Sequence, residues 1–277
     1  MEKQKYSYLS NQMKIAFFTT IFTMNEHYLY DFFNSLRNQT YQKFDIIVVN
    51  DGYKNFEKIK TLYSKTLNII ELQYSNTPVK NREYGINYCI DNNYDFLIFG
   101  DSDDYFKNNR VEKSIELLKK TDVVVNDLNL FDENSIYQRM YLSKRLKNHQ
   151  NVDFNFIRNK NIFGLSNTAL KLKDSKKIEL PNDLIALDWY IFSMLLIAGK
   201  KAIFTNETVS YYRQHGQNII GLKQLDEISF NLALKVKIKH YKALNKLSKR
   251  FDIDLNKLRN KKITKKKINN PLWWEQV

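Results

Sequence analysis

Cysteine is almost absent from this chain. The single Cys89 has no partner for an internal disulfide, and no cluster of Cys and His has zinc-site spacing. A reducing compartment, hence a cytoplasmic protein, is the expectation. Proline (3) and glycine (7) are also scarce, which argues against collagen-like, linker-rich and turn-dense all-β chains. Long hydrophobic runs are missing. No segment reaches the ~20 apolar residues a membrane-spanning helix needs, and Ile191 to Ala198 comes nearest. The apolar run Ile15 to Phe22 follows Lys3 and Lys5, but it contains Thr19 and Thr20 and leads into Asn25 and Glu26. It reads as a buried strand, not as a signal peptide.

What the chain has in quantity is aromatic residues and positive charge. Its 18 Phe, 18 Tyr and 3 Trp in 277 residues exclude disorder for the bulk of the molecule and supply a sizeable core. The net charge of +14 is unevenly placed. From Lys223 to Val277 stand 15 Lys and Arg against 5 Asp and Glu, so +10 of the +14 belongs to the tail. This divides the chain into a nearly balanced body, 1–222, and a basic helical extension, 223–277.

In that extension Leu244, Leu247, Phe251, Leu255 and Leu258 recur at steps of three and four, one helical stripe with lysines and arginines on the other faces. Lys261, Lys262 and Lys265 to Lys267 follow, with Trp273 and Trp274 close behind. Two readings stand side by side: docking on an anionic membrane surface, with the indoles at headgroup level, or a helix packed on the body with a solvated basic face. Nucleic acid is not the expected partner, because the body has no matching basic motif.

The first 130 residues alternate short apolar runs with helical stretches. Ile15 to Thr19, Phe44 to Val49, Asn68 to Gln73, Phe96 to Phe99 and Val123 to Asn126 read as strands buried on both faces. Thr23 to Glu26 reads as a capping box, and Thr77-Pro78 as a cap followed by proline at the first helical position. Such alternation means βαβ units, an α/β fold and a mainly parallel sheet. Further on, Asp183 to Ala198 reads as a helix ended by Gly199, and Ile203 to Thr205 and Val209 to Arg213 as two short strands. Cys89, between Ile86 and Ile90, reads as core.

Ligands of open parallel sheets bind at the carboxyl ends of the strands. Thr19 and Thr20 follow the first run, Asn50-Asp51-Gly52 the second, and Gly100-Asp101-Ser102-Asp103-Asp104 the fourth. Three carboxylates within four residues repel one another, and a divalent metal held by carboxylate and phosphate oxygens would stabilise them. An EF-hand loop would need Gly at its sixth position, where Phe106 stands.

Together these features resemble the family-2 inverting glycosyltransferases with the GT-A fold. Phe44 to Gly52 resembles that family's strand ending in Asp-Asp-Gly. Arg82-Glu83-Tyr84-Gly85 is similar to its helical Arg-Asn-x-Gly, and Phe99 to Asp104 to its strand running into Asp-x-Asp-Asp. Leu187-Asp188-Trp189-Tyr190 resembles the context of the catalytic carboxylate. Tyr211 to Asn218 resembles the closing Tyr-Arg-x-His-x-x-Asn. Asn50, Glu83 and Leu187 depart from the commonest residues at their positions.

The resemblance implies a GT-A-like sheet flanked by helices, with residues 1–222 catalytic. The implied reaction is metal-dependent transfer of a sugar, with inversion, from a nucleoside-diphosphate sugar to a hydroxyl of a glycan or lipid-linked acceptor in polysaccharide synthesis. It implies Mn²⁺ or Mg²⁺ on Asp103 and Asp104, with His215 as a ligand or diphosphate donor. Asp101 would reach the ribose or share the metal, and Asp51 would hold the base. Thr19 and Arg82 would line the nucleotide pocket, and Asp188 would be the general base. The alternative is a non-catalytic, membrane-associated binder of nucleotide sugars or glycans on the same fold.

Overall fold

The computed structural model describes residues 13–133, 135–214, 226–247, 251–259 and 268–277. Its first half runs β1 (Ile15–Phe22), α1 (Glu26–Arg37), β2 (Asp45–Asp51), α2 (Phe56–Tyr63), β3 (Asn68–Gln73), α3 (Pro78–Asp91) and β4 (Phe96–Phe99). There follow β5 (Tyr105–Phe106), α4 (Arg110–Leu118), β6 (Val123–Phe131), β7 (Ile136–Gln138), β8 (Asn151–Val152), α5 (Phe154–Ile157) and β9 (Thr168–Lys171). The chain then passes through α6 (Leu187–Ile197), β10 (Ala202–Arg213), α7 (Glu227–Leu247) and α8 (Asp252–Arg259).

The strands form one sheet in the order β3-β2-β1-β4-β9-β6-β10-β5, with β7 on β6 and β8 on β10. Pairing is parallel from β3 through β4 and between β6 and β10. Between these halves β9 pairs antiparallel on both sides. The sheet is therefore mixed. The periodicity of the sequence marks the parallel strands, whereas β9 lies in the middle region that carries no clear pattern. The two short strands expected after Gly199 are one, β10, interrupted by a register shift between Thr205 and Val209.

Alternation along β1 divides the core. Ala16 and Phe18 point into a cluster shared with α3, α6 and α7, and Ile15, Phe17 and Ile21 into one shared with α1, α2 and α4. Helix ends follow local chemistry. Thr77 accepts from the Lys80 N–H with Pro78 at the first turn, as expected. The cap of α1 is Asn25, which accepts from the His27 N–H, and not Thr23. Glu26 is then the first helical residue, and its carboxylate bonds Lys58 at 2.9 Å. Helix α6 starts at Leu187 instead of Asp183, and Gly199 at φ +87° ends it with the paired bonds Gly199 N–H to Leu196 O and Lys200 N–H to Leu195 O.

The tail packs on the body. Its apolar stripe is divided between α7 and α8, with Leu244, Phe251, Leu255 and Leu258 buried. The indole pair is turned inward. Trp274 is buried and lies parallel to Trp189 at 6.2 Å, while His240 stacks on Trp189 at 3.8 Å. Burial pushes the His240 imidazole well below its ordinary range, so it sits there neutral. Packing is thus the reading the structure takes for the described part of 223–277. The lysine-rich stretch 260–267 lies outside the described residues, and among those described no helix is long and apolar enough to cross a membrane.

Gly85 sets how closely α3 approaches the sheet. A Cβ there would stand 2.1 Å from the Phe18 ring on β1. Gly85→Ala is expected to lower stability by roughly 1–3 kcal/mol, the usual cost of overpacking. A urea titration against wild type measures it. An unchanged midpoint would mean that α3 is not held at this distance by packing.

Candidate active site

The strand order turns at β1, which lies between β2 and β4. The crevice of an open α/β sheet forms at the carboxyl ends of strands at such a point. There β4 gives way to Gly100 and the acidic loop. A Cβ on Gly100 would meet the Phe17 and Phe106 rings at 2.5 and 2.7 Å, so glycine lets the loop leave the sheet over a close-packed layer. The loop is braced by the Asp104 N–H to Asp101 O bond and by the Ser102 hydroxyl donating to Thr20 O.

Asp104 is fully buried and accepts from the Arg213 N–H through Oδ1 at 2.7 Å, while Oδ2 is buried without a partner. Burial, with Asp103 and Asp101 alongside, raises its carboxyl well above the usual range. Arg213 is the anchor of this loop. Its Nε donates to Asp103 O and its Nη2 to Asp31, both at 2.7 Å. Its guanidinium lies 4.2 Å from the Tyr28 ring centre and 4.4 Å from that of Phe131. Beneath the loop, the buried Arg110 donates to Phe99 O at 2.6 Å and to Asn126 Oδ1 at 3.1 Å. Burial pulls its pKa down, and Asp104 and Asp101 pull it back.

Three of the candidate residues converge. Arg82 on α3 reaches Asp101 Oδ1 at 3.6 Å. Arg82, Asp101 and Asp188 then line one cleft of about 220 Å³, whose apolar wall includes Val79 and Leu184. The Asp101 side chain is still 31% exposed to the cleft, yet desolvation is the main force pushing it up to about 6. Arg82 opposes that shift and Asp103 adds to it. Asp188 stands in the first turn of α6. Its Oδ1 accepts from the Trp189 N–H at 2.7 Å, and its Oδ2 from Asn161 Nδ2 at 3.1 Å. Burial is the largest of the influences pushing it up to about 7, with the Asp101 charge helping and Arg82 opposing.

The other candidates lie elsewhere. Asp51, at the end of β2, accepts from Ser75 and from Asn81 Nδ2. Asn81 precedes Arg82 on α3, so the two acidic strand ends are linked through one helix. Thr19 is buried within β1, three residues short of the strand end, where Phe22 is exposed. His215 lies outside the described residues.

The departures from the family pattern have structural uses. Asn50 is buried and spends both ends of its amide on Tyr53 and Glu71. Glu83 binds Lys80 and the Leu180 N–H, and so ties α3 to the loop that leads into Asp188.

Among the described residues, no three His, Cys, Asp or Glu side chains converge as a cation site. The acidic loop does fit a cation held by one or two carboxylates, with phosphate oxygens and water completing the shell. Burial, with repulsion from neighbouring carboxylates, raises Asp101 and Asp104, and an Asp104 oxygen with no geometric hydrogen bond lies beside it. Sequence reasoning missed Arg213, Arg110 and Asn161. Arg213 stands inside the Tyr-Arg-x-His stretch that was singled out, so its signal was present. Arg110 and Asn161 carry none.

Residues 19–170 match the family model for glycosyl transferase family 2. No curated protein matches the chain. Among solved structures it is similar to S. aureus TarS 1-349 in complex with UDP-GlcNAc, at 18% identity and TM-score 0.59, over 86% of this chain and 73% of that one. It covers 44% of a longer TarS chain. It is also similar to the mannosyltransferase PcManGT from Pyrobaculum calidifontis in complex with GDP-Man and Mn²⁺, at 11% identity and TM-score 0.57, over 84% of this chain and 64% of that one. At these identities the likeness establishes the GT-A fold.

The raised carboxyl of Asp188 has a consequence for stability. An unfolded Asp ionises near ~4, so between there and about 7 the folded chain holds the extra proton. This group's contribution is therefore full at low pH and lost as pH rises through about 7. Asp188→Asn is expected to resist urea better than wild type above that pH and to match it more closely near pH 5. Equal midpoints at both pH values would show that the carboxyl is not desolvated.

Proposed function

The chain belongs to glycosyl transferase family 2, and from that membership we propose an inverting enzyme that moves a sugar from a nucleoside-diphosphate donor to a hydroxyl of a glycan or lipid-linked acceptor. The observation that carries the proposal is the meeting of Arg82, Asp101 and Asp188 on one cleft at the carboxyl end of the sheet. Similar folds bound to UDP-GlcNAc and to GDP-Man with Mn²⁺ support a nucleotide-sugar donor and a divalent metal.

In this mechanism Asp188 takes the proton from the attacking hydroxyl. A carboxylate with a pKa of about 7 suits that step, because it is a stronger base than an exposed one and is still half-ionised near neutral pH. Asn161 keeps one oxygen of Asp188 oriented, and α6 fixes the other through the Trp189 N–H. One-step displacement needs no enzyme nucleophile, and among the described residues lining the cleft there is no serine or cysteine. On the donor side, Asp51 and Asn81 form the base end, Arg82 bears on the diphosphate and Asp101 on the ribose.

Asp103, with Asp104 and His215, would hold Mn²⁺ or Mg²⁺. The bound ion supplies charge neutralisation to the departing diphosphate. Arg213 holds Asp103 and Asp104 in register for it.

Calorimetry of a nucleoside-diphosphate panel with and without Mn²⁺ tests this. One nucleotide should bind in a metal-dependent way, and Asp103→Asn should abolish that dependence. With the matching nucleotide sugar, Asp188→Asn should retain binding and lose about 10²–10⁴-fold in transfer rate. The wild-type rate should rise with pH through about 7. A folded protein that binds no nucleotide would return the weight to a non-catalytic binder.

Docking on an anionic membrane through Lys261, Lys262 and Lys265 to Lys267, which would bring the enzyme to a lipid-linked acceptor, is the charge-based part of the proposal. Replacing these five lysines by Gln is the clean variant, since deleting the tail would strip Trp189 of its packing. The variant should lose sedimentation with phosphatidylglycerol vesicles. Undiminished sedimentation removes this part.

A further inference from the structure

Beyond Asp188 the cleft continues into a cavity of about 60 Å³. Asp101, Asp188, Asn161, Ser166, Tyr212 and Trp273 line it. Trp273 is half-buried there, whereas its neighbours Leu272 and Trp274 are buried. The indole meets Tyr141 and Tyr212 edge to face, at 6.1 and 5.9 Å. The Ser166 hydroxyl on the same wall is buried beside Asp104.

The backbone carrying Trp273 is fixed from several directions. The Asn161 N–H donates to Trp273 O at 2.8 Å, and the Asn161 side chain donates to Asp188, so one residue registers the indole against the base. Arg145 forms a two-pronged pair with Glu275, both bonds at 2.9 Å, and Glu275 accepts from the Leu272 N–H. Tyr141 donates its hydroxyl to Pro271 O.

The next residue, Trp274, adopts φ +69°, a left-handed conformation that is costly for a bulky side chain. Lys237, itself buried, holds that turn by donating to Trp274 O at 3.0 Å, to Asn159 O at 2.7 Å and to Val277 O. Strain of this kind persists only where the surroundings over-determine it, and it gathers at functional sites.

We propose that Trp273 is an acceptor-binding residue: residues 270–277 close the acceptor side of the cleft, and the group received there is an uncharged carbohydrate ring lying on the indole with one hydroxyl at Asp188. This rests on the sugar-transfer reading above and deepens it. The chemistry of the walls selects the class. Aromatic faces suit the C–H side of a sugar, while Asn161, Ser166 and the carboxylates suit its hydroxyls. The same cavity disfavours a phosphorylated ring, because Asp101 and Asp188 lie in its wall and, among the described residues, no Lys or Arg does.

The test uses the full chain with the donor identified from the nucleotide panel, and methyl glycosides of common hexoses, with their 6-phosphates, as acceptor probes. Transfer kinetics and nucleotide affinity are measured for wild type, Trp273→Ala and Trp273→Phe. The expected result is a rise in glycoside KM of about tenfold or more for Trp273→Ala and a smaller rise for Trp273→Phe, with kcat and nucleotide affinity changed by less than about threefold. The 6-phosphates should be poorer acceptors than the parent glycosides.

An unchanged KM in both variants, or nucleotide affinity falling in parallel with transfer, overturns the proposal. So does a wild-type enzyme that binds nucleotide but takes no glycoside. Failure of wild type to bind any nucleotide is a different result, since it removes the sugar-transfer reading itself. If Trp273→Ala does not fold, Trp273→Phe decides by the same split between KM and kcat.

Discussion

Negative charge concentrated at one end of the sheet is the constraint around which the rest of this molecule is organised. Burial raises the pKa of the Tyr212 phenol, and Asp101, Asp103, Asp104 and Asp188 all stand close enough to add to it, so the phenol stays protonated among them. The chain answers with three arginines in three roles. Arg110, buried under β4, counters Asp101 and Asp104 from below. Arg213 binds the loop backbone and orients Asp103 and Asp104. Arg82 faces the cleft and meets Asp101 at 3.6 Å, where an incoming anionic ligand would meet it too. The first two cations are structural counterweights, and the third is placed for a ligand.

Burial then separates the carboxylates by exposure. Asp104 is wholly enclosed and accepts from the Arg213 N–H. Asp101 and Asp188 keep a face to the cleft and are pushed to about 6 and about 7, which makes them responsive near neutral pH. Burial is the main force raising Asp188. The next residue on α6, Trp189, packs against His240, Tyr241 and Trp274, all from the basic tail. The tail is thereby joined through the core to the helix that carries Asp188.

Much of the candidate site was legible in the sequence because half of it is local. Strand followed by Asp-Gly, helix with Arg and Gly at a fixed step, and strand followed by the acidic loop are each contiguous patterns, and each has a physical reason in the structure. Gly85 is needed because Phe18 lies against it, and Gly100 because two phenylalanine rings do. Legibility failed where a residue type has two uses. Trp273 and Trp274 have the composition of an interfacial anchor, yet Trp274 packs on the Trp189 face of the body and Trp273 meets Tyr141 and Tyr212.

The alternation of strands and helices in the first half, the acidic loop and the helical position of Asp188 were determined by the sequence alone, since each is set by interactions between residues near one another in the chain. Tertiary structure alone decided that Asp188 shares a cleft with Asp101, that Arg213 anchors a loop more than a hundred residues away, and that Asn161 and Trp273 line the adjoining cavity. These depend on β9 entering the sheet antiparallel between β4 and β6 and on a buried lysine fixing the turn at Trp274. Neither leaves a periodic trace, because each is a single contact between segments distant in the chain.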